Sequence, residues 1–371
     1  MTTLRVALDA RMIQHSGIGT YIRGLGEALV ANDALKLSLI GSRDVLVAHD
    51  YFRRNCDVIS FSGSIYSVRE QLLFPRECRR RGISLLHFPH YNVPRWPDAP
   101  FVVTIHDLIH LLMPEVLGSR IKAETAKYLL RSATRRAAKI LTVSNATKQD
   151  LEQHLGVPAE RIVVTPNAVS PRFQPVPMES VAETRKSLGL PESYILAVGI
   201  NKPHKNFPFL ISSFGEWRTK PQAANVSLVI SGIPPDQRAD LQLVAVKSGV
   251  ANNVRFLDFI PHGSLAPVYQ AAKALVFPSL MEGFGLPILE AQRVGTPVIV
   301  SNASAIPEVA ADSALYFDPR STAEFCTRLD EFFSNAALRT RLAELGRQNE
   351  RRFSWASTAA ATLDAYRSIA S

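Results

Sequence analysis

Glu282 and Glu290 stand eight positions apart, and the residues between them suit the binding of a phosphorylated ligand. Gly283 and Gly285 allow the backbone to approach a ligand closely or to adopt a positive φ angle. A helix predicted to begin at Leu286 offers free N–H groups and the positive end of its dipole to an anion. One carboxylate could therefore hold a sugar hydroxyl and the other a ribose diol, with a phosphate between them. Two solvated surface glutamates are the alternative interpretation.

Lys202 and Lys205 are a second pair of residues with the right chemistry for such a ligand. They follow the predicted strand Tyr194–Val198 and precede a predicted helix, so they lie at the carboxyl end of a strand. Two ammonium groups suit a diphosphate that departs carrying negative charge, because charge-assisted contacts stabilise charge as it develops. Lysines at a helix start are also common on protein surfaces, and that interpretation stays open.

The glycine-rich segment Gly17-Ile-Gly19 lies between the first predicted strand and a helix predicted over Tyr21–Val30. Ile22 stands where a dinucleotide-binding G-x-G-x-x-G fingerprint has its third glycine, so the fingerprint is incomplete. A tight turn explains these glycines as well as a bound ligand does.

Short apolar runs alternate with helical patterns along the whole chain, which predicts βαβ units and parallel sheets. At 371 residues the chain is too long for one ordinary core and predicts two domains. The proline-rich stretch 166–191 is predicted to be the linker, and two doubly wound sheets joined by it would leave a cleft. The predicted strands are Leu4–Leu8, Leu37–Ile40, Leu85–Phe88, Phe101–Ile105, Ile140–Val143 and Ile162–Val164, then Tyr194–Val198, Val226–Ile230, Val254–Phe256, Ala274–Phe277, Pro297–Val300 and Leu315–Phe317.

The net charge of +9 belongs mostly to the first half of the chain. Residues 1–170 hold 22 Lys/Arg against 15 Asp/Glu, concentrated at Arg76 to Arg81 and at Arg120 to Lys139. In the second cluster Lys127, Arg131 and Arg135 recur every four residues and share one helical face. This face predicts either a solvated surface or attraction to an anionic membrane or a pyrophosphate-bearing acceptor. Nucleic acid is disfavoured because no nucleic-acid motif accompanies the charge.

Cysteine usage and apolar runs point to a cytoplasmic protein. The three cysteines are far apart and odd in number, so they predict neither a disulfide framework nor a metal site. No apolar run approaches the roughly 20 residues of a spanning helix, and the charged first strand is not a signal peptide. No Asp-x-Asp or Cys/His cluster occurs, so we expect no metal and no cofactor.

The segment from Phe277 to Glu290 resembles the signature of retaining glycosyltransferase family 4, the group 1 glycosyltransferases, in which two glutamates flank a Gly-Phe-Gly turn. Gly295–Asn302 and Ile306–Glu308 resemble that family's next strand and loop. The resemblance implies the GT-B fold, an α/β fold of two Rossmann-like, doubly wound parallel-sheet domains facing across a cleft. It also implies that the last helix returns to the first domain. The expected domains are residues 1–170 plus 355–371, on the acceptor side, and residues 171–354, which bind the nucleotide-sugar.

By the same resemblance, Glu282 holds the transferred sugar and Glu290 the ribose, while Lys202 and Lys205 stabilise the leaving diphosphate. Ile200 stands where the family often has an arginine, so Lys202 is expected to supply that first charge.

Further donor contacts are implied for residues of the glycine-rich loops and of the segment Val254–Pro261, which would run under the nucleobase. The residues implied to bind the donor are Gly17, Gly19, Ile260, Gly283, Phe284, Gly285, Leu286 and Glu290. Asp258 stands where members commonly have glycine. Its carboxylate could accept two hydrogen bonds from guanine, or it could point to water.

His106 follows the predicted strand Phe101–Ile105, and a lone histidine at a strand end is more often structural than catalytic. Its Thr-Ile-His-Asp context resembles the family's pattern. That implies a histidine that hydrogen-bonds the 6-hydroxyl of the donor sugar while its backbone carbonyl faces the anomeric carbon. Asp107 could orient the ring or cap the following turn. His90, Tyr91 and Asn92 end the preceding strand and are the residues we expect to contact the acceptor.

These inferences predict a retaining, metal-independent hexosyltransferase whose acceptor is a glycan or a lipid-linked glycan. The string Lys202-Pro-His-Lys-Asn206 is similar to mannosyltransferase-like members, which makes GDP-mannose the first expected donor and UDP-glucose the second. A GT-B nucleotide-sugar epimerase and a non-catalytic nucleotide-binding paralogue remain alternatives. A Rossmann dinucleotide-binding protein is disfavoured by the incomplete glycine fingerprint and by the lack of an acidic residue ending the second strand.

Overall fold

The computed structural model describes residues 4–32, 35–61, 67–261 and 264–370. Contacts divide the chain into two compact units, one of Met1–Ala168 with Ser354–Ser371 and the other of Val169–Phe353. The boundaries expected from the sequence were 170/171 and 354/355. In each unit the strands form one parallel sheet.

The strands are short and mostly apolar, as expected for strands that are covered on both faces. They are β1 Leu4–Asp9, β2 Leu35–Gly41, β3 Asp57–Ser60, β4 Leu85–Phe88, β5 Phe101–Ile105, β6 Lys139–Thr142, β7 Ile162–Val164, β8 Tyr194–Val198, β9 Ser227–Ser231, β10 Val254–Leu257, β11 Ala274–Phe277, β12 Val298–Ser301 and β13 Ala314–Phe317.

The α-helices connect these strands. They are α1 Ser16–Val30, α2 Arg43–Val47, α3 Asp50–Asn55, α4 Val68–Arg80, α5 Ile109–Leu112, α6 Arg120–Arg136, α7 Asn145–Leu155, α8 Met178–Ser187, α9 Phe207–Trp217, α10 Ala239–Lys247, α11 Ala266–Ala271, α12 Leu286–Arg293, α13 Ile306–Ala310, α14 Thr322–Ser334, α15 Ala336–Glu350 and α16 Trp355–Ala370. In the described residues, no helix is both long and apolar enough to cross a membrane.

The first unit contains a seven-stranded sheet in the order β3-β2-β1-β4-β5-β6-β7. The order reverses direction at β1, where Leu8 pairs with Leu39 on one side and with His87 on the other. Helix α16 packs against α1, and Gly24 makes this possible because a Cβ there would lie 2.0 Å from the Trp355 ring. The last helix therefore belongs to the first unit.

The second unit contains a six-stranded sheet in the order β10-β9-β8-β11-β12-β13. Leu196 of β8 pairs with Val229 and Leu275, so the order reverses at β8. In open α/β sheets, ligands bind beyond the carboxyl ends of the strands at this reversal. The loops after β8 and β11 carry Lys205 and Glu282, respectively.

Several expectations from the sequence were wrong in detail. The stretch 166–191, predicted to be the linker, contains the boundary between the units at Ala168/Val169, but it also forms α8, and Phe173 is buried against Tyr269 within the second unit. Helix α1 begins at Ser16 rather than Tyr21, so Gly17 and Gly19 lie in its first turns and not in a loop. Strand β3 was not predicted.

A buried ion cluster fixes the turn between β1 and α1. The Arg11 guanidinium contacts the Asp9 and Glu70 carboxylates, each at 2.6 Å, and all three side chains are buried. The Phe74 ring lies 5.3 Å from the guanidinium. Because the interior charge of Arg11 is compensated by two carboxylates, this turn has little freedom to move. It leads directly into the helix start that carries Gly17 and Gly19.

Candidate functional site

Lys205 and Glu282 meet in the second unit. Lys205 Nζ lies 2.7 Å from Glu282 Oε1, and the two side chains are 14% and 12% exposed. The ammonium also lies 5.1 Å from the centre of the Phe277 ring. Gly199, with φ +152°, is needed here because a Cβ would lie 3.3 Å from Lys205 Cε. The structure therefore brings together a cation and a carboxylate that are 77 residues apart in the chain.

Hydrogen bonds tie the lysine-bearing turn to the loop after β11. The turn Pro203–Lys205 is a single 3-10 turn, and the His204 carbonyl accepts the Leu280 N–H at 2.8 Å. Asn206 donates to the carbonyls of Pro278 (3.2 Å) and Pro319 (2.8 Å). The Glu282 carbonyl accepts the Ser304 hydroxyl at 2.8 Å. These bonds fix the separation between Lys205 and Glu282 before any ligand arrives.

Helix α12 begins directly after the Gly-Phe-Gly turn. Gly285 precedes its first residue with φ +114°, a conformation that side chains other than glycine rarely adopt. The first turn contains Pro287, which costs no hydrogen bond there. The Phe284 ring is 5% exposed and packs edge-on against Phe353, so only its backbone is left for a ligand. Leu286 is half-buried at the helix start.

Glu290 lies in the second turn of α12 and is 6% exposed. Its Oε2 accepts the Tyr269 hydroxyl at 2.8 Å. Tyr269 was not singled out from the sequence, because nothing in its spacing to Glu290 indicates a contact. Burial and the nearby carboxylate raise the pKa of Tyr269 well above its ordinary value, so its hydroxyl stays protonated and donates.

Lys202 is placed differently from Lys205. Its side chain is exposed and lines a surface cavity of about 400 Å³ together with Asp236, Asp240 and Ile200. It forms no ion pair with any other residue that the structure describes. The backbone joins the two lysines, since Lys205 N–H donates to the Lys202 carbonyl at 2.9 Å. Lys202 is thus an exposed cation and not a member of the Lys205–Glu282 pair.

The segment expected under the nucleobase follows β10. Asp258 is 66% exposed and forms an ion pair with Arg238 at 2.6 Å, so its charge is already compensated. Ile260 is half-buried two residues further on. His262 and Gly263 lie outside the described residues.

In the first unit, His106 is half-buried at the end of β5. Its Nε2 lies 3.0 Å from the Pro89 carbonyl, so Nε2 carries the proton and Nδ1 is the acceptor. The ring packs edge-on against Tyr21 at 4.9 Å, and the His106 carbonyl accepts the Thr147 hydroxyl at 3.3 Å. Burial lowers the pKa of His106 to about 4. Asp107 caps the next turn by accepting the Ile109 N–H at 2.9 Å.

We call His87, His90 and His106 the histidine cluster; His87 is fully buried, and the other two are half-buried. Burial lowers the pKa of His87 and of His90 to about 3. His87 bridges the Tyr366 hydroxyl (2.6 Å) of α16 and the Thr104 hydroxyl (2.7 Å). The cluster is therefore uncharged at neutral pH and works only through neutral hydrogen bonds.

The residues expected to contact an acceptor are more buried than a surface loop would be. The His90 ring lies against Tyr91 at 3.9 Å, and the Tyr91 hydroxyl bonds His110 Nδ1 at 2.6 Å. Among the residues that the structure describes, His90 Nδ1 and Asn92 Oδ1 are buried with no partner in hydrogen-bonding geometry, although the His90 and Asn92 side chains influence each other electrostatically. Buried polar atoms of this kind need a partner such as a ligand or an ordered water.

The two glycines of α1 differ from each other. A Cβ on Gly19 would lie 2.2 Å from the Ile13 carbonyl oxygen, so Gly19 is required by packing. A Cβ on Gly17 would have nothing within 4 Å. Gly17 therefore leaves open space over the start of α1. Among the residues that the structure describes, no group of three His, Cys, Asp or Glu side chains is arranged to hold a metal ion.

Two sequence families match the chain over most of its length. The family described as "Glycosyltransferase Family 4" matches residues 15–173, and the one described as "Glycosyl transferases group 1" matches residues 180–349. The chain is 28% identical to the O-antigen chain mannosyltransferase B of Escherichia coli over 76% of its own length and 74% of the relative's. It is 31% identical to the O-antigen chain mannosyltransferase RfbU of Salmonella typhimurium over 62% of its own length and 59% of the relative's.

Solved structures of glycosyltransferases share the fold at low sequence identity. The structure of Anabaena Alr3699/HepE in complex with UDP and glucose superposes with a TM-score of 0.77 at 18% identity, covering 98% of this chain and all of that one. At this identity the likeness establishes the fold alone, which is GT-B with two parallel-sheet α/β domains.

Proposed function

The chain belongs to the glycosyltransferases that combine a family 4 domain with a group 1 domain, and from this membership we propose that it is a retaining hexosyltransferase using a nucleoside-diphosphate sugar. The acceptor is a glycan or a lipid-linked glycan of an O-antigen or similar polysaccharide, since the relatives are named O-antigen chain mannosyltransferases. The observation that carries the proposal is the Lys205–Glu282 pair, held beside a helix start and followed by Glu290.

The second unit holds the donor in this proposal. The diphosphate takes Lys205 as its main cation and Lys202 as a second, and the free N–H groups at the start of α12 add a positive dipole end. Glu290 accepts hydrogen bonds from the ribose diol. Glu282, released from Lys205 by the incoming diphosphate, accepts hydrogen bonds from the transferred sugar. The backbone of Gly283 to Leu286 and of Ile260 completes the donor contacts.

Transfer with retention needs no carboxylate nucleophile in this scheme. The acceptor hydroxyl attacks the anomeric carbon on the face from which the diphosphate departs, and an oxygen of the leaving diphosphate takes the proton. Lys205 stabilises the charge that develops on that oxygen. No metal ion is required, because lysines and the helix start supply the positive charge that a metal would supply.

The first unit contributes neutral groups. His106 presents Nδ1 as an acceptor for the 6-hydroxyl of the sugar, because Nε2 is committed to Pro89. Gly17 and Gly19 let the start of α1 approach the donor. His90, Tyr91 and Asn92 contact the acceptor, and the unpartnered His90 Nδ1 and Asn92 Oδ1 fit a ligand rich in hydroxyls.

GDP-mannose is the proposed donor, with UDP-glucose second, since the relatives cited above are named mannosyltransferases. The test is to incubate the protein with GDP-mannose labelled with ¹³C at the anomeric carbon and with a lipid-linked glycan acceptor. NMR then reports the new linkage. An α-linked product from the α-linked donor supports retention, and a β-linked product contradicts it. Epimerised sugar formed from donor alone would favour the epimerase alternative. Absence of turnover with every donor would favour the non-catalytic paralogue.

A peripheral contact with anionic membrane is a further part of the proposal. Helix α6 presents two large exposed apolar side chains, Ile121 at 80% and Tyr128 at 65%, among its basic residues. We call this the α6 surface, and its members are Arg120, Ile121, Lys127, Tyr128, Arg131 and Arg135. Apolar and basic side chains on one helix face suit the headgroup region of an anionic bilayer. The three cysteines are unpaired, which fits the cytoplasmic face.

Flotation with vesicles tests this contact. The protein should float with phosphatidylglycerol vesicles and not with phosphatidylcholine vesicles, and 0.5 M salt should reduce the binding by about tenfold or more through screening. The variant Arg131→Glu/Arg135→Glu should lose binding while keeping its melting temperature, because both side chains are exposed. Equal flotation with both vesicle types, or unchanged flotation of the variant, would contradict an electrostatic anchor.

A further inference from the structure

Glu290 is a carboxylate in the interior of the second unit, and its orientation is fixed by a neighbour. It is 6% exposed, and a carboxyl group with so little water around it needs hydrogen-bond partners within the protein. The Tyr269 hydroxyl donates to Glu290 Oε2 at 2.8 Å, with both groups buried. This hydrogen bond sets the rotation of the carboxylate about its side-chain axis.

Tyr269 is itself held in place from several sides. It lies on α11 and is fully buried, and its carbonyl accepts the Thr296 hydroxyl at 2.8 Å. The Phe173 ring packs edge-on against it at 5.9 Å. The next residue, Gln270, exchanges two hydrogen bonds with the backbone of Val176, at 2.7 and 3.0 Å. A phenol fixed in this way donates from one position, which restrains the carboxylate oxygen that accepts from it.

We propose that Tyr269 is a positioning residue for nucleotide recognition, which holds Glu290 so that its carboxylate meets the two hydroxyls of a ribose. The inference rests on the proposed function, because it assigns Glu290 to the ribose of the donor. A diol presents two adjacent donors, and it binds more tightly to a carboxylate whose orientation is already set, because less freedom is lost on binding. Without the tyrosine hydroxyl, Glu290 would stay buried but would lose the hydrogen bond that orients its Oε2.

Tyr194 provides a matched comparison in the same unit. It is also fully buried, and its hydroxyl donates to the Val268 carbonyl at 2.7 Å, one residue before Tyr269. Removing the Tyr194 hydroxyl therefore disturbs the same helix and the same interior, but it leaves the Tyr269–Glu290 hydrogen bond in place. A purely structural role for Tyr269 predicts equal behaviour of the two variants.

The experiment measures calorimetric binding of GDP and of 2′,3′-dideoxy-GDP to the wild type, Tyr269→Phe and Tyr194→Phe. We expect Tyr269→Phe to bind GDP about tenfold more weakly, the usual loss for a hydrogen bond to a charged group. The dideoxy nucleotide, which lacks the diol, should bind equally to wild type and Tyr269→Phe. Tyr194→Phe should melt at a lower temperature and bind GDP as the wild type does.

Two results overturn the inference while leaving the proposed function standing. One is wild-type affinity of Tyr269→Phe for GDP, and the other is an equal loss for GDP and its dideoxy analogue. Should the wild type bind no nucleoside diphosphate at all, the proposed function itself fails, and the inference with it. If Tyr269→Phe does not fold, 3-fluorotyrosine incorporation decides: the ¹⁹F resonance of residue 269 should shift with GDP and not with dideoxy-GDP. The opposite pattern, or no shift with either, contradicts the inference.

Discussion

Glu282→Gln removes the charge of one partner of the Lys205–Glu282 pair and keeps the size of the side chain. The two charges are 2.7 Å apart and almost buried. At an effective dielectric constant of about 20, such a separation corresponds to an attraction of about 6 kcal/mol, most of which offsets desolvation. Removing one partner of a buried pair costs about 3–5 kcal/mol. Because some exposure remains, we expect a loss near the lower end, about 3 kcal/mol.

For a unit of this size, about 3 kcal/mol lowers the melting temperature by roughly 6–12 °C. GDP changes the comparison, because its diphosphate gives Lys205 a new counter-charge. With saturating GDP the deficit of Glu282→Gln relative to the wild type should therefore shrink to about half or less. Differential scanning calorimetry with and without GDP measures both deficits.

Glu350→Gln is the control for this comparison. Glu350 forms an ion pair with Arg293 in the same unit, and the two side chains are similarly buried, at 7% and 17% exposed. This variant should lose a similar amount of stability, and GDP should not reduce its deficit. If the deficit of Glu282→Gln is as insensitive to GDP as that of the control, Lys205 does not receive the diphosphate and the reasoning is refuted.

Three further predictions concern stability, packing and catalysis. Burial lowers the pKa values of the histidine cluster to about 3–4 from an unfolded value of about 6.5, so the folded chain binds fewer protons. The free energy of unfolding should fall as the pH drops below about 6.5, by about 4 kcal/mol per pH unit for the three histidines together. Urea titrations that give equal free energies of unfolding at pH 7 and pH 5 would contradict this prediction. Gly19→Ala should destabilise the chain by about 1–3 kcal/mol through its clash with the Ile13 carbonyl. Gly17→Ala should keep or gain stability yet weaken donor binding, and the reverse order of the two variants in thermal melts would contradict this prediction. Lys205→Ala should lower turnover more than donor affinity, because the stabilisation by Lys205 increases as negative charge develops on the leaving diphosphate. Steady-state kinetics with an equal loss in turnover and affinity would restrict Lys205 to ground-state binding.

The parallel sheets could be predicted from the sequence because their strands are continuous apolar runs. Strand β3 was missed because it is a four-residue edge strand, Asp57–Ser60, with two polar residues. Helix α1 was started too late because glycine has a low helix propensity, whereas in the structure Gly19 lies against the Ile13 carbonyl and packing decides. Proline content suggested a linker over 166–191, and α8 inside it was missed because Pro177 only precedes that helix.

The candidate site was predicted as residue types and not as contacts. The proximity of Lys205 and Glu282 depends on β8 and β11 being neighbours in the sheet, an order that a one-dimensional pattern does not specify. Lys202 and Lys205 were interpreted as one pair, whereas in the structure Lys202 is exposed and Lys205, at the other end of the 3-10 turn, is 14% exposed and paired with Glu282. The Tyr269–Glu290 hydrogen bond could not be predicted either, because the sequence pattern does not specify that α11 and α12 are neighbours.

The central claim is that the second unit recognises a nucleoside diphosphate through the Lys205–Glu282 pair and Glu290. Melting temperatures of the protein with GDP, UDP, ADP and NAD, each at 1 mM, test it most directly. The account predicts stabilisation by GDP or UDP, none by NAD, and loss of the effect in Lys205→Ala. Stabilisation by NAD alone, or an equal response in Lys205→Ala, would contradict it.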